Sequence, residues 1–200
     1  MSLIIGLTGP TGSGKTTVSK AAESLGFKII DCDKIARKAV EKGEEGLKSI
    51  VAAFGEEILL KDGELDRKAL ALAAFSSKEK TELLNKTVLP IICDEIKRII
   101  DKSKSNYILL DAPTLFESGL DEICSFVISV ISDKDIRKSR IMARDDMSED
   151  DANLRLSAAK SDEFFISRST HIIFNNGSKK EFEIEAKNVI LNIKNNKKGE

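Results

Sequence analysis

One stretch, Gly9-Pro10-Thr11-Gly12-Ser13-Gly14-Lys15-Thr16, narrows the folds open to this chain of 200 residues more than any other feature. It has the form G-x-x-x-x-G-K-S/T, follows the apolar run Leu3 to Leu7, and precedes Thr16 to Leu25, where apolar positions recur at helical spacing. Strand, glycine-rich turn and helix in that order make a phosphate-binding loop. Glycines at 9, 12 and 14 let the backbone turn tightly with its N–H groups inward, so that loop and helix N-terminus cradle phosphate oxygens. Lys15 is then placed for the β- and γ-phosphates of ATP, and Thr16 for Mg²⁺ through its hydroxyl. Thr11, Ser13 and Thr17 complete the expected nucleotide-facing set. A glycine-rich turn matching by chance would lack the flanking strand and helix.

The rest of the chain repeats the alternation. Short apolar runs at Phe27 to Ile30, Tyr107 to Leu110, Phe126 to Ile131 and His171 to Phe174 fit buried strands. Helical spacing marks Asp66 to Phe75, Glu79 to Ile100, Asp133 to Arg144, Glu149 to Lys160 and Lys179 to Ile193. Ser76 with Glu79, and Ser148 with Asp151, have the three-residue spacing of a helix start. Strands alternating with helices require a parallel sheet covered on both faces, with ligands at the edge where the strands end. One domain is expected, its core being 1–33, 107–136 and 161–200. A mostly helical substrate-side insertion at 34–106 and a small helical lid at 137–160 interrupt it, and Lys194 to Glu200 is expected to be a solvated tail.

Carboxylates and guanidinium groups near the strand ends supply candidate chemistry. Asp31 and Asp33 follow the second apolar run, which puts them on the ligand edge. Asp33 is a candidate general base for an acceptor hydroxyl and Asp31 a candidate metal helper, while a helix cap is the alternative for each. Asp111 ends the run Ile108-Leu109-Leu110 and is either a Mg²⁺ ligand acting through water or a turn aspartate. Arg137, Arg140 and Arg144, three and four apart, share a helical face that either serves phosphates as a lid closes or is simply solvated. His171 has no partner of metal-ligand type in its neighbourhood of the sequence.

Composition narrows the partners. Lys and Arg total 32 against 33 Asp and Glu, so a net charge of -1 offers no general attraction for nucleic acid or an anionic membrane. Cys32, Cys93 and Cys124 form no C-x-x-C pair, and no leader or transmembrane run is evident, so a reduced, cytoplasmic protein, monomeric by preference, is expected.

Taken in order, the motifs resemble those of the dephospho-CoA kinase family over nearly the whole chain. They are Gly6-Leu7-Thr8-Gly9 running into Gly12 to Thr16, Asp31-Cys32-Asp33 with Ile35-Ala36-Arg37, Phe54-Gly55, and Gly63-Glu64-Leu65-Asp66-Arg67. Leu84-Asn85 with Pro90, Asp111-Ala112-Pro113-Thr114-Leu115-Phe116-Glu117, Arg140 with Arg144-Asp145, and Asn175-Asn176-Gly177 complete the series. The resemblance implies a three-layer α/β fold of the P-loop nucleoside-kinase type, with a five-stranded parallel sheet. It implies ATP-dependent transfer to the 3′-hydroxyl of dephospho-CoA, with Asp33 as base, Lys15 on the phosphates and Arg140 in a closing lid. Arg37 and the segment holding Pro113, Leu115 and Glu117 become expected acceptor contacts, and Arg144 and Asn175 expected nucleotide contacts. The chain departs from the family pattern with Leu89 in place of histidine, Thr114 in place of leucine and Lys160 in place of glutamine. Other classes remain open to a phosphate-binding loop. These are a different small-molecule or nucleoside monophosphate kinase, a non-catalytic nucleotide sensor, and a GTP switch, which the missing N-K-x-D tetrapeptide disfavours.

Overall fold

The computed structural model describes residues 2–196. In chain order they form β1 (Leu3–Thr8), α1 (Lys15–Ser24), β2 (Lys28–Asp31), α2 (Cys32–Ala39), α3 (Glu45–Phe54), α4 (Arg67–Ala74), α5 (Lys78–Asp101), β3 (Tyr107–Asp111), β4 (Phe126–Ile131), α6 (Lys134–Asp145), α7 (Glu149–Ser157), α8 (Asp162–Ile166), β5 (His171–Phe174) and α9 (Lys179–Asn196). The chain divides into two compact units, one made of everything up to Asp31 together with everything from Lys104 on, the other Cys32–Ser103.

The first unit is built on a parallel sheet of order β2-β3-β1-β4-β5. Its inner strands read as unbroken apolar runs because helices cover both faces, leaving no solvated side to demand alternation. Leu3, Ile5 and Leu7 of β1 are fully buried and pack with Leu109, Ile128 and Val130, under Val18, Ala22, Phe182, Ala186 and Ile190 of α1 and α9. Each such leucine, isoleucine or valine side chain contributes about 1.5–3 kcal/mol by leaving water. On the other face Gly6 lies beneath the turn after β3, where an added Cβ would meet Leu115 Cδ2 at 2.6 Å. Register brings Leu7, Asp31 and Asp111 level at the C-terminal ends of three adjacent strands.

The second unit is helical. Val40, Ile50, Ile58 and Val88 form its core, with Leu65, Leu70, Leu84 and Ile92 packed against them. Asp66 is the N-cap of α4 rather than its first residue, its Oδ1 accepting from the backbone N–H groups of Lys68 (2.9 Å) and Ala69 (3.0 Å). The cap of α5 is Ser77, whose hydroxyl accepts from Lys80 N at 3.3 Å, whereas Ser76 bonds back to Ala73 O. At α7 the expected pair holds, with Ser148 Oγ accepting from Asp151 N at 3.2 Å. Spacing alone does not reveal α3. Its start depends on Gly46, where a Cβ would collide with Ala39 O at the end of α2. The expected tail is corrected in part, because α9 continues through Asn196, while the rest of that stretch, 197–200, lies outside the described residues.

No disulfide joins the three cysteines. Burial pushes the Cys124 thiol up to about 12, with Asp121 adding to the shift, and Sγ donates to Leu120 O at 3.2 Å. The thiolate is the nucleophile, so Cys124 should resist iodoacetamide at pH 8 until the chain is unfolded. Mass spectrometry of alkylated peptides, native against guanidinium-treated, checks this, and rapid native labelling at Cys124 would contradict it.

Candidate active site

The turn between β1 and α1 is closed on itself. Ser13 N donates to Pro10 O (3.2 Å), Thr17 N to Gly14 O (3.0 Å), and Lys15 Nζ to Gly9 O (2.7 Å) and Pro10 O (3.4 Å). Gly9, Gly12 and Gly14 have φ of 137°, 79° and 105°, a region that side chains with a Cβ rarely adopt. Space is short as well. A Cβ would strike Val130 O at Gly9 and Asn175 Nδ2 at Gly14, and at Gly12 it would lie 2.9 Å from Arg137 O. Gly14 is the N-cap of α1, no side chain caps that helix, and no acid lies in its first turn. Its leading N–H groups therefore meet no competing carboxylate on this helix, and they suit an anion.

The side chains of the loop divide by exposure. Thr16 is exposed, Thr11, Lys15 and Thr17 are half-buried, and Ser13 is fully buried with its hydroxyl unpartnered among the described residues. Ser13 serves the loop through its carbonyl, which accepts from Asn175 Nδ2 at 2.7 Å and from Arg140 Nη1 at 3.4 Å. Asn175 is 5% exposed, which places it behind the loop as a brace. Its neighbour Asn176 is tied to the N-cap of α6, accepting from Asp133 N (2.9 Å) and donating to Asp133 Oδ1 (2.8 Å).

Asp111 closes β3 beside β1 and accepts a 2.5 Å bond from Ser19 Oγ on α1. Spacing did not single out Ser19, although it lies one helical turn beyond Thr16. Among the described residues no group of three His, Cys, Asp or Glu side chains is arranged to hold a metal. Mg²⁺ needs no such cluster, because it takes one or two protein oxygens and completes its shell with phosphates and water. Thr16 and Asp111 fit such a role. After β3 the chain turns back over β1, Ala112 N donating to Leu7 O (3.0 Å) and Thr8 Oγ1 to Pro113 O (3.2 Å). Within that turn Glu117 is exposed and Pro113 half-buried, but Leu115 is fully buried over Gly6 and offers a ligand no surface. Leu115 thus packs as a core residue between that turn and β1.

The three arginines of α6 do not act as a set. Arg137, 7% exposed, lies 3.2 Å from Asp162 Oδ1 at an angle too oblique for a hydrogen bond. Arg140 reaches the loop, its Nη1 donating to Gly12 O (3.3 Å), Ser13 O (3.4 Å) and Ser132 Oγ (3.2 Å) and its Nη2 to Asn175 O and Oδ1 (both 3.2 Å). Burial lowers the Arg140 pKa from the usual guanidinium value. As it stands, Arg140 binds the loop's carbonyls from behind because α6 packs directly on Gly12. Arg144 bonds Asp145 twice at 2.7 Å, and Arg155 shares that carboxylate. These pairs are largely exposed, so solvent screens them and they add little to stability.

In the second unit Asp33 and Arg37 are both exposed, four residues apart and so on one face of α2.

A family model described as dephospho-CoA kinase matches residues 3–181. The chain belongs to the dephospho-CoA kinase family. Among its relatives, dephospho-CoA kinase of Fusobacterium nucleatum is 39% identical over 176 residues, covering 88% of this chain and 91% of the relative. That of Corynebacterium glutamicum is 39% identical over 194 residues, covering 96% and 100%. The solved dephospho-CoA kinase from Campylobacter jejuni superposes with a TM-score of 0.70 at 32% identity, covering 96% of this chain and 98% of that one. For this dephospho-CoA kinase family member, the positions that motif spacing missed are Ser19, Ser132 and Asp162, each a partner reached through the fold rather than along the chain.

Proposed function

We propose that this chain transfers the γ-phosphoryl group of ATP to the 3′-hydroxyl of the ribose of dephospho-CoA, giving coenzyme A and ADP. The observation that carries the proposal is a family match spanning 3–181 on a chain whose phosphate loop is intact and braced. Phosphoryl transfer passes through a loose transition state, so the protein aligns the reactants and neutralises charge rather than forming covalent bonds. The backbone N–H groups of Gly12, Gly14, Lys15 and Thr16 hold phosphate oxygens, and Lys15 exchanges Gly9 O for the β- and γ-phosphates. Arg140, Asn175 and Ser132 keep the loop in register, Arg140 acting as a positioning residue. Asp33 accepts the proton of the acceptor hydroxyl as the O–P bond forms. Thr16 and Asp111 are the residues that would hold Mg²⁺, which when bound would supply neutralising charge to the phosphates. The protein works in the cytoplasm as a monomer, without nucleic acid or membrane.

Dephospho-CoA, AMP, adenosine and shikimate are each to be incubated with the protein, ATP and Mg²⁺, and the products resolved by chromatography. Only dephospho-CoA is expected to be phosphorylated. Phosphorylation of another acceptor, with none of dephospho-CoA, would overturn the assignment.

A further inference from the structure

The buried positions of α1 are Val18, Ser19, Ala21 and Ala22. Three of them are apolar and pack on the sheet with Leu7, whereas Ser19, 8% exposed, carries a hydroxyl into the same interface. Ala21 and Ala22 show that this packing needs no more than a methyl group, and a buried hydroxyl is costly unless it is paired. The partner of Ser19 is Asp111 Oδ2, which accepts its proton at 2.5 Å from 92 positions further along the chain. An aspartate carboxylate has no single preferred rotation of its own, because its last torsion is broad and roughly twofold. Asp111 has a further reason to turn. It stands level with Asp31 in the parallel pairing of β2 and β3, so both carboxylates leave the sheet on one side, and neighbouring like charges repel. A short bond from a buried donor on a helix fixes the carboxylate against both effects. Ser19 also lies three residues beyond Thr16, which puts the two hydroxyl side chains on one face of α1.

Resting on the proposed function, we infer that Ser19 is a positioning residue, its hydroxyl setting the rotation of the Asp111 carboxylate that serves Mg²⁺ while Ser19 itself touches neither metal nor phosphate. Two side chains on one face of α1 then divide the work, Thr16 toward the ion and Ser19 toward the carboxylate. Removing the Ser19 hydroxyl should blunt the response of nucleotide binding to Mg²⁺ and leave the hold of the loop on phosphate intact. The loop is closed and braced through Pro10, Gly14, Asn175 and Arg140, and none of those bonds involves Ser19.

The test is calorimetric titration of ATP, once with excess Mg²⁺ and once with EDTA, into wild type, Ser19→Ala, Asp111→Asn and the double variant, with thermal melts to check folding. The ratio of the two affinities is the Mg²⁺ response. Ser19→Ala is expected to lower that response roughly tenfold, the loss of one bond to a charged group, with ATP affinity in EDTA unchanged. The Mg²⁺ concentration giving half-maximal turnover should rise by a similar factor. In the double variant, Ser19→Ala should add nothing to the loss caused by Asp111→Asn, because an effect exerted through Asp111 disappears with it. A purely structural role for Ser19 predicts equal weakening with and without Mg²⁺, or additive losses, and either result overturns the inference. If Ser19→Ala responds to Mg²⁺ as wild type does and wild type phosphorylates dephospho-CoA, this inference falls and the proposed function stands. If wild type does not phosphorylate dephospho-CoA, both fall.

Discussion

Replacing Asp33 by Asn is expected to lower turnover roughly 10²–10⁴-fold, the range for loss of a general base, while ATP affinity stays near that of wild type. An amide keeps the size of the side chain but does not take up the proton released as the acceptor oxygen bonds phosphorus. Asp33 is exposed in the first turn of α2 and lines a cavity that also holds Arg37 and Arg67. A second role, stabilising the start of α2, predicts a different signature. Loss of a cap costs about 0.5–2 kcal/mol and appears in the melting temperature, not in the chemical step. Single-turnover kinetics at saturating ATP and dephospho-CoA separate the two. A variant with wild-type single-turnover rate and a lowered melting temperature would remove Asp33 from the chemistry.

Much of this was legible because the informative positions lie close together in sequence. The run Phe126–Ile131 is a strand over the bounds its apolar residues mark, since a strand covered on both faces leaves no other pattern, and the edge run His171–Phe174 is one as well although Phe174 is exposed. The phosphate loop could be read because its glycines, lysine and threonine are contiguous, and its conformation follows from local steric rules. What could not be read are the contacts that hold it. Asn175 Nδ2 meets Ser13 O across 162 positions, and Arg140 Nη1 meets Gly12 O across 128. Such pairs follow from the strand order β2-β3-β1-β4-β5, which places β4 beside β1 and thereby brings α6 and the end of β5 against the loop. The same limit explains Arg137 and Arg144. Helical spacing puts them on one face, but the partners Asp162 and Asp145 decide what each does. The burial of Leu115 is hidden from the sequence for a related reason. It sits in a motif beside exposed Glu117, and only Gly6 beneath it reveals a core position.

Gly14→Ala is expected to reduce ATP affinity about a hundredfold and to lower stability at the same time. Two costs combine at this position. Its φ of 105° carries a strain of roughly 1–3 kcal/mol for a residue with a Cβ. The new methyl also runs into Asn175 Nδ2, the donor that holds Ser13 O, with Phe182 Cε1 3.3 Å away. Relief of the collision requires Asn175 or the loop to move, and either shift turns the N–H groups at the start of α1 away from the phosphates. Each charge-assisted bond so lost is worth about 1.5–3 kcal/mol, so one or two account for the expected change in affinity. Gly43→Ala separates strain from collision. Gly43 has a similar φ of 95° but nothing within 4 Å of the added Cβ, so that variant should lose stability and keep ATP affinity. Calorimetric titration with ATP, alongside thermal melts of both variants, gives the comparison. Equal ATP affinity for Gly14→Ala and wild type would mean that the brace behind the loop does not set the geometry that binds phosphate.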